Sequence, residues 1–181
     1  MTTSRSLELA RYDAAGTLEL ADELKILYLD SHREQQDNPW YSPARFWERL
    51  EEMYAPIPGF ELVAARIDGR MIGYAFGTPY RRSQAVWKKA VRVYPRIATG
   101  SKSVAVYIFG SSLCTPTTKA RATHGSFTTP CSRSAPNVWL TCWCEWATLR
   151  ARPRGVGWQV IGQDQPFADA PIMDEMARPL H

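Results

Sequence analysis

No stretch of this 181-residue sequence approaches the ~20 consecutive apolar residues that a membrane-spanning helix requires. The first residues, MTTSRSLELARYD, contain no long apolar run either, so no secretory signal is indicated. The chain has only three histidines, and cysteine is absent outside residues 111–155. The lack of a long apolar run argues against a membrane partner, and we expect a cytoplasmic protein. Disulfides are not expected in that compartment.

The length favours one domain, because 181 residues can bury one sizeable core but not two comfortable ones. Hydrophobic residues make up 45% of the chain, which is typical of globular rather than disordered proteins. We therefore expect a single domain over residues 1–181, with residues 111–155 anomalous in composition.

The anomaly is one of charge and residue type. Residues 111–155 contain six Lys or Arg and a single acid, Glu145, whereas the rest of the chain has 16 basic and 17 acidic residues. Ser, Thr, Pro and Cys supply 21 of the 45 residues in this segment, yet it also holds three tryptophans. The net charge of +4 thus belongs to one segment, and we expect no nucleic-acid partner.

All four cysteines lie in the same segment and raise the question of a metal site. Cys142 and Cys144 are separated by one residue, while Cys114, Cys131 and His124 are scattered. Structural zinc sites usually pair ligands that are separated by two to four residues, so this spacing is a poor match. We expect no metal site.

The first half of the chain shows regular patterns. Residues 6–12 read as a strand, and apolar residues at three- and four-residue intervals predict a helix over residues 17–31. A second helix is marked by Ser42 as its cap and Pro43 in its first turn, and Pro56 and Pro58 follow its end. Its expected buried stripe consists of Phe46, Trp47, Leu50, Met53 and Tyr54.

Asp68 and Gly69 predict a type I′ hairpin within residues 60–77. In its second strand, Ile72, Tyr74 and Phe76 are expected on one face. The connection 78–102 carries seven Lys or Arg and reads either as a solvated loop or as a rim that attracts phosphates or an acidic substrate. Strands are expected at residues 104–109, 157–162 and 170–180. This order predicts an α+β (mixed α/β) domain.

These elements resemble the GCN5-related N-acetyltransferases, the GNAT family. The resemblance is carried by the hairpin IDGRMIGYAFG, the strand VYIFG, the ending GWQVIGQDQPFADAPIMDEM and the two helices after the first strand. It implies a GNAT-like central, mostly antiparallel sheet flanked by helices. It also implies acetyl-CoA as the co-substrate and a small-molecule or peptide amine as the acceptor. A homodimer is compatible with the resemblance.

The family's signature loop, Q/R-x-x-G-x-G/A, does not follow VYIFG. Such a loop cradles a pyrophosphate because small residues let backbone N–H groups approach it. By register, the resemblance assigns cofactor binding to Phe109, Gly110, Leu113, Lys119, Ala120, Arg121, Ala122, Thr123 and His124, although the motif is not intact.

A shifted reading frame accounts for the missing loop. If each written codon begins one base late, TPTTKARATHG at residues 115–125 permits HPDYQGKGYAR, which contains the signature at the correct distance. Each position permits about four residues, so eleven consecutive matches favour a frameshift near residue 111 that is regained near Gly155. A genuine Ser/Thr-rich insert is the alternative.

The resemblance implies transfer of an acetyl group from acetyl-CoA to a primary amine. It places Trp40 and Tyr41 as candidates for the wall of the acceptor cleft, while their ordinary role is packing. The catalytic residues stay unassigned, because no tyrosine follows Tyr107 to protonate the leaving thiolate. We expect impaired acetyl transfer or, alternatively, a non-catalytic GNAT-like module whose basic Ser/Thr-rich segment holds an anionic partner.

Overall fold

The computed structural model describes residues 6–79, 85–93, 106–114, 138–144 and 159–180. Backbone proximity divides the chain into two units, Met1–Gly77 with Ser111–Cys131, and Thr78–Gly110 with Ser132–His181. Across the described ranges, no helix is long and apolar enough to cross a membrane.

Three antiparallel strands organise the first unit. β1 (Leu7–Tyr12) pairs with β2 (Glu61–Ile67), and β2 pairs with β3 (Arg70–Pro79). The turn between β2 and β3 has positive φ at both central residues, 52° at Asp68 and 76° at Gly69. That backbone conformation is the one a type I′ turn requires, so the predicted hairpin is confirmed.

A bulge changes which residues of β3 face the core. Ala65 is opposite Gly73 but Arg66 is opposite Met71, so Ile72 has no partner in the register. As a result Met71 joins Tyr74 and Phe76 in the buried core, while Ile72 is only half-buried. The expectation that Ile72 lies on one face with Tyr74 and Phe76 was wrong, because one extra residue reverses the alternation of a strand.

The predicted first helix is two helices. α1 (Ala14–Leu18) begins after Asp13, whose carboxylate accepts a hydrogen bond from the Gly16 amide at 2.9 Å. α2 (Ala21–Ser31) buries Leu24, Leu27 and Tyr28, the core side of the predicted apolar stripe. The expectation of one continuous helix was wrong because the capping Asp13 starts a separate short helix before the apolar repeat.

The second predicted helix is confirmed at its start and altered at its end. In α3 (Pro43–Glu48), the Ser42 hydroxyl accepts a hydrogen bond from the Arg45 amide at 3.2 Å, and Pro43 occupies the first turn. The helix continues as a π-helical turn, Arg49–Tyr54. The wider turn rotates the following residues, so Met53 is 47% exposed and Arg49 is buried in place of an apolar residue.

The second unit contains α4 (Ala85–Val93) and a group of four strands. These are β4 (Val106–Cys114, with residues 106–110 in this unit), β5 (Val138–Cys144), β6 (Gln159–Asp164) and β7 (Met173–Leu180). Their order is β4-β5-β7-β6, with β4 and β5 parallel and the other pairs antiparallel. The mixed fold class, with helices and mostly antiparallel strands, is as the sequence predicted.

Two elements of this unit correct the sequence interpretation. The helix α4 occupies part of the 78–102 connection, which was expected to be a loop or a rim, because its apolar residues and cations alternate with helical spacing. The strand β5 lies inside the anomalous segment 111–155, where no strand was assigned. Its sequence, VWLTCWC, is rich in β-branched and aromatic residues, which favour strands.

Candidate functional site

Trp40 and Tyr41, the predicted wall of the acceptor cleft, lie in a short 3₁₀ turn, Pro39–Tyr41, between α2 and α3. The Asn38 side chain fixes the start of this turn by accepting a hydrogen bond from the Trp40 amide at 3.0 Å. Each of the two aromatic side chains is 6% exposed. They are therefore core residues with a small accessible edge.

The residue that Trp40 contacts is a buried arginine. The guanidinium carbon of Arg49 lies 3.7 Å from the centroid of the Trp40 ring, close enough for a cation–π interaction. Nη1 of Arg49 donates a hydrogen bond to the Trp40 carbonyl at 3.2 Å, and the arginine is 6% exposed. The π-helical turn places this charge against the 3₁₀ turn.

Two tyrosines complete the surroundings of the guanidinium. Burial raises the pKa of Tyr28 to about 12, and hydrogen bonding and charge from Arg49 oppose that rise. Burial likewise raises the pKa of Tyr54 to about 12. Burial lowers the pKa of Arg49, and the interactions with Tyr28 oppose that effect. At neutral pH the site thus contains a cation and neutral phenols.

A fully buried tyrosine adjoins this group. Burial raises the pKa of Tyr74 well above its usual value, whereas the charge of Arg49 lowers it. Within the described residues the Tyr74 hydroxyl has no hydrogen-bond partner, a property it shares with the Thr17 hydroxyl. Native cores rarely leave such groups unsatisfied. We refer to Tyr28, Trp40, Arg49, Tyr54 and Tyr74 as the Arg49 cluster.

Stacked rings hold the Arg49 cluster in place. The Tyr28 and Phe46 rings stack with centroids 4.3 Å apart, and Phe46 lies 5.9 Å from Tyr74. His32 packs between Tyr28 and Tyr41, at 4.1 and 5.1 Å. These contacts join α2, α3 and β3, and they fix the position of the guanidinium.

A separate open groove of about 340 Å³ runs along α2 and the start of β3. Leu27 and Met71 contribute to its lining, and the exposed Ile26 lies at it. Neither Trp40 nor Tyr41 lines this groove. The assignment of these two residues to the wall of an acceptor cleft stays a prediction.

The second unit has its own buried ion pair. Glu175 on β7 is 1% exposed, and its Oε2 lies 2.7 Å from Nζ of Lys89 on α4. Asp164 is 3.7 Å from the same ammonium group. Burial raises the pKa of Glu175, and Lys89 opposes that rise. Lys89 was grouped with the solvated or phosphate-attracting cations, and its pairing with Glu175 corrects that interpretation.

The predicted cofactor-binding residues are described only in part. Phe109, Gly110 and Leu113 lie on β4, and Phe109 is opposite Cys142 of β5 in the parallel register. The other predicted contacts, Lys119, Ala120, Arg121, Ala122, Thr123 and His124, lie outside the described residues. The structure also shows what the sequence interpretation missed, namely Arg49, whose only sequence signal is a charge at helical spacing between Phe46 and Met53.

No protein-family model matches the sequence, and no curated protein matches it. The structure, in contrast, is similar to solved acetyltransferases along nearly its whole length. A histone acetyltransferase HPA2 and related acetyltransferase from Corynebacterium glutamicum superposes with a TM-score of 0.59 at 12% identity, covering 99% of this chain and 98% of that one. A GNAT-family acetyltransferase from Staphylococcus aureus gives 0.59 at 9% identity, with 97% and 100% covered.

An acyl-CoA N-acyltransferase from Pseudomonas aeruginosa gives a TM-score of 0.53 at 14% identity, covering 96% of this chain and 99% of that one. At these identities the similarity establishes the fold, because one fold hosts many functions. The chain has the fold of GNAT acetyltransferases.

Proposed function

We propose that this chain is an N-acetyltransferase by descent, built to transfer an acetyl group from acetyl-CoA to a primary amine. The observation that supports the proposal is the similarity of fold to acetyltransferases over 97–99% of the chain. Acetyl-CoA would supply an activated thioester. The acceptor would be a small molecule or a peptide with a free amine.

The residues available for acetyl-CoA do not fit it well. A pyrophosphate cradle requires small residues at successive positions, and residues 119–124 are Lys, Ala, Arg, Ala, Thr and His, without glycine. Beyond Tyr107 the sequence has no tyrosine that could act as a general acid. We therefore assign no chemical step to this chain and propose that it binds acetyl-CoA weakly or not at all.

The test compares this chain with a frame-restored chain. In the latter, one base is added directly after the codon of Gly110 and one is removed near the codon of Gly155, a frame that permits HPDYQGKGYAR at residues 115–125. Calorimetry should show binding of acetyl-CoA to the frame-restored chain only, and acetyl transfer to a panel of amines should follow the same pattern. Micromolar affinity in the present chain would contradict the proposed impairment. A folded, frame-restored chain without affinity would contradict the proposed function.

The second candidate is a non-catalytic module that uses residues 111–155 to hold an anionic partner. It is favoured by the concentration of six cations against one acid in that segment. The genes of close relatives distinguish the two candidates. An unbroken frame that encodes the same Ser/Thr-rich segment supports the module, and an inserted or deleted base near codon 111 supports the enzyme.

Four further expectations stay predictions. They are the cytoplasmic location, the single domain, the absence of a nucleic-acid or membrane partner, and the homodimer that the resemblance leaves open.

A further inference from the structure

The Arg49 cluster contains a buried positive charge without an acidic partner among the described residues. Four other arginines, which are less buried, each pair with a carboxylate: Arg11 with Glu61, Arg33 with Asp30, Arg45 with Glu48 and Arg66 with Glu23. Among the described residues, the groups whose charge acts on Arg49 are Tyr28, Tyr54 and Arg45, none of which is anionic at neutral pH. A buried charge without a counter-ion is costly, so an anion at this place would stabilise the site.

The Arg49 guanidinium has more N–H donors than it has acceptors among the described residues. It carries five N–H groups in a planar fork. The Trp40 carbonyl and the Tyr28 hydroxyl are the acceptors that it meets in the described residues. The remaining donors can bind the two oxygens of a planar anion in a bidentate way.

An independent observation points to the same ligand. The hydroxyl of Tyr74 is fully buried and has no partner in the described part of the chain, and it lies within the electrostatic reach of Arg49. A phenol hydroxyl can donate to an oxygen anion. As far as the described residues go, a hydroxyl without a partner and a cation without an acidic partner thus occur in the same cluster.

We propose that Arg49 binds the carboxylate of the acceptor, so that the substrate is an amine that also carries a carboxylate, as amino acids do. This inference rests on the proposed acetyl transfer. The charge favours a carboxylate over a phosphate, because a single guanidinium balances a monoanion. Arg45, a described cation whose charge acts on Arg49, is already paired with Glu48 at 2.8 Å.

The test is a titration by NMR, without acetyl-CoA, of L-amino acids and the corresponding L-amino acid amides. Each pair has the same amine and side chain and differs only in the carboxylate. We expect at least one amino acid to bind about tenfold or more tightly than its amide, the effect of a hydrogen-bonded charge. Arg49→Met should bring the ratio close to one. Arg33→Met, which removes an exposed arginine, is the matched control and should leave the ratio unchanged.

Equal binding of acids and amides across the panel, or a preference that persists in Arg49→Met, would overturn the inference. If circular dichroism shows that Arg49→Met does not fold, Arg49→Lys decides. Lysine keeps the charge but loses the planar fork, so the preference should fall several-fold. An unchanged preference in Arg49→Lys would also overturn it.

Acetyl transfer by the frame-restored chain separates this inference from the proposed function. Transfer to amides and acids alike contradicts the role of Arg49 and leaves acetyl transfer intact. Carboxylate-dependent binding without any transfer contradicts the proposed function alone.

Discussion

Lys89 and Glu175 form an ion pair of 2.7 Å in which the carboxylate is buried and the lysine side chain is 29% exposed. The pair connects α4 to the β6–β7 hairpin, because Asp164 at the end of β6 lies 3.7 Å from the same ammonium. Gly162 approaches it closely, since a Cβ on that residue would lie 3.3 Å from Cδ of Lys89. Removing either partner should therefore act on the whole second unit.

Lys89→Met should destabilise the protein by about 3 kcal/mol, because it leaves Glu175 buried without its cation. Replacing Lys89 and Glu175 together with Met and Leu should cost less than Lys89→Met alone. Urea denaturation measures both. The neighbouring exposed residue supplies the control, since Lys88→Met should change stability by no more than about 0.5 kcal/mol. Equal losses for Lys88→Met and Lys89→Met would show that the ion pair is unimportant.

The loss of stability caused by Lys89→Met should change with pH in a defined direction. Burial raises the pKa of Glu175 above its ordinary 4.5, so between pH 4.5 and that raised pKa the folded protein binds more protons than the unfolded chain. The contribution of Glu175 is thus most favourable below pH 4.5 and is lost as the pH rises through its folded pKa. Losing Lys89 raises that pKa further. The stability gap between the wild type and Lys89→Met should therefore widen from acid to neutral pH.

Tyr28 and Tyr54 should make the first unit sensitive to alkali. Burial raises the pKa of each from 10.0 to about 12, so their contribution is fully present below pH 10 and is lost as the pH rises to about 12. A shift of this size corresponds to about 2 to 3 kcal/mol per tyrosine. Urea denaturation at several pH values, with tyrosinate absorbance, measures the loss. Tyr28→Phe should reduce it, and an identical alkaline loss in that variant would contradict the assignment.

The sequence predicted those elements that begin or end at a residue with a strong conformational preference. Asp68 and Gly69 predicted the hairpin, and Ser42 with Pro43 predicted the start of α3. The π-helical turn after Glu48 was not predictable, because it inserts one residue into a regular helical pattern without a Gly or Pro to mark it. The bulge at Ile72 is next to Gly73, but a strict period-two alternation does not allow for the inserted residue.

The sequence drew attention to one part of the Arg49 cluster and missed its cation for the same reason. Trp40 and Tyr41 attract notice as neighbouring aromatic residues, and the structure places Trp40 in contact with Arg49. The burial of Arg49 depends on the π-helical turn, and an arginine on a helix is ordinarily solvent-exposed. An interpretation based on helical spacing therefore assigns the buried position to Met53 and misses the cation.

Gly69→Ala should destabilise the hairpin through its backbone alone. The residue has a φ of 76°, and beyond its two chain neighbours no described atom lies within 4 Å of the place that a Cβ would occupy, so crowding plays no part. The left-handed conformation costs a residue with a Cβ roughly 1 to 2 kcal/mol. Gly69→Asn should recover part of that loss, because asparagine tolerates this region. Thermal denaturation of the two variants makes the comparison, and equal stability of Gly69→Ala and the wild type would contradict it.

Tyr74→Phe distinguishes the contribution of the Tyr74 hydroxyl to folding stability from its contribution to carboxylate binding. The substitution removes a buried hydroxyl that has no partner among the described residues, so the free protein should be unchanged or more stable by about 1 kcal/mol. Tyr28→Phe is the matched control, since it removes a hydroxyl that is bonded to Arg49 and should destabilise by about 1 to 2 kcal/mol.

If the Tyr74 hydroxyl serves a bound carboxylate, Tyr74→Phe should also bind the best L-amino acid several-fold more weakly while its affinity for the amide stays the same. A gain in stability with unchanged carboxylate affinity would restrict the binding role to Arg49. A loss of stability would show that the hydroxyl has a structural partner after all, and the argument from an orphaned donor would fail. Stability should rise while carboxylate affinity falls only if the hydroxyl is retained for a ligand. This variant therefore tests the cluster more sharply than any change of the arginine itself.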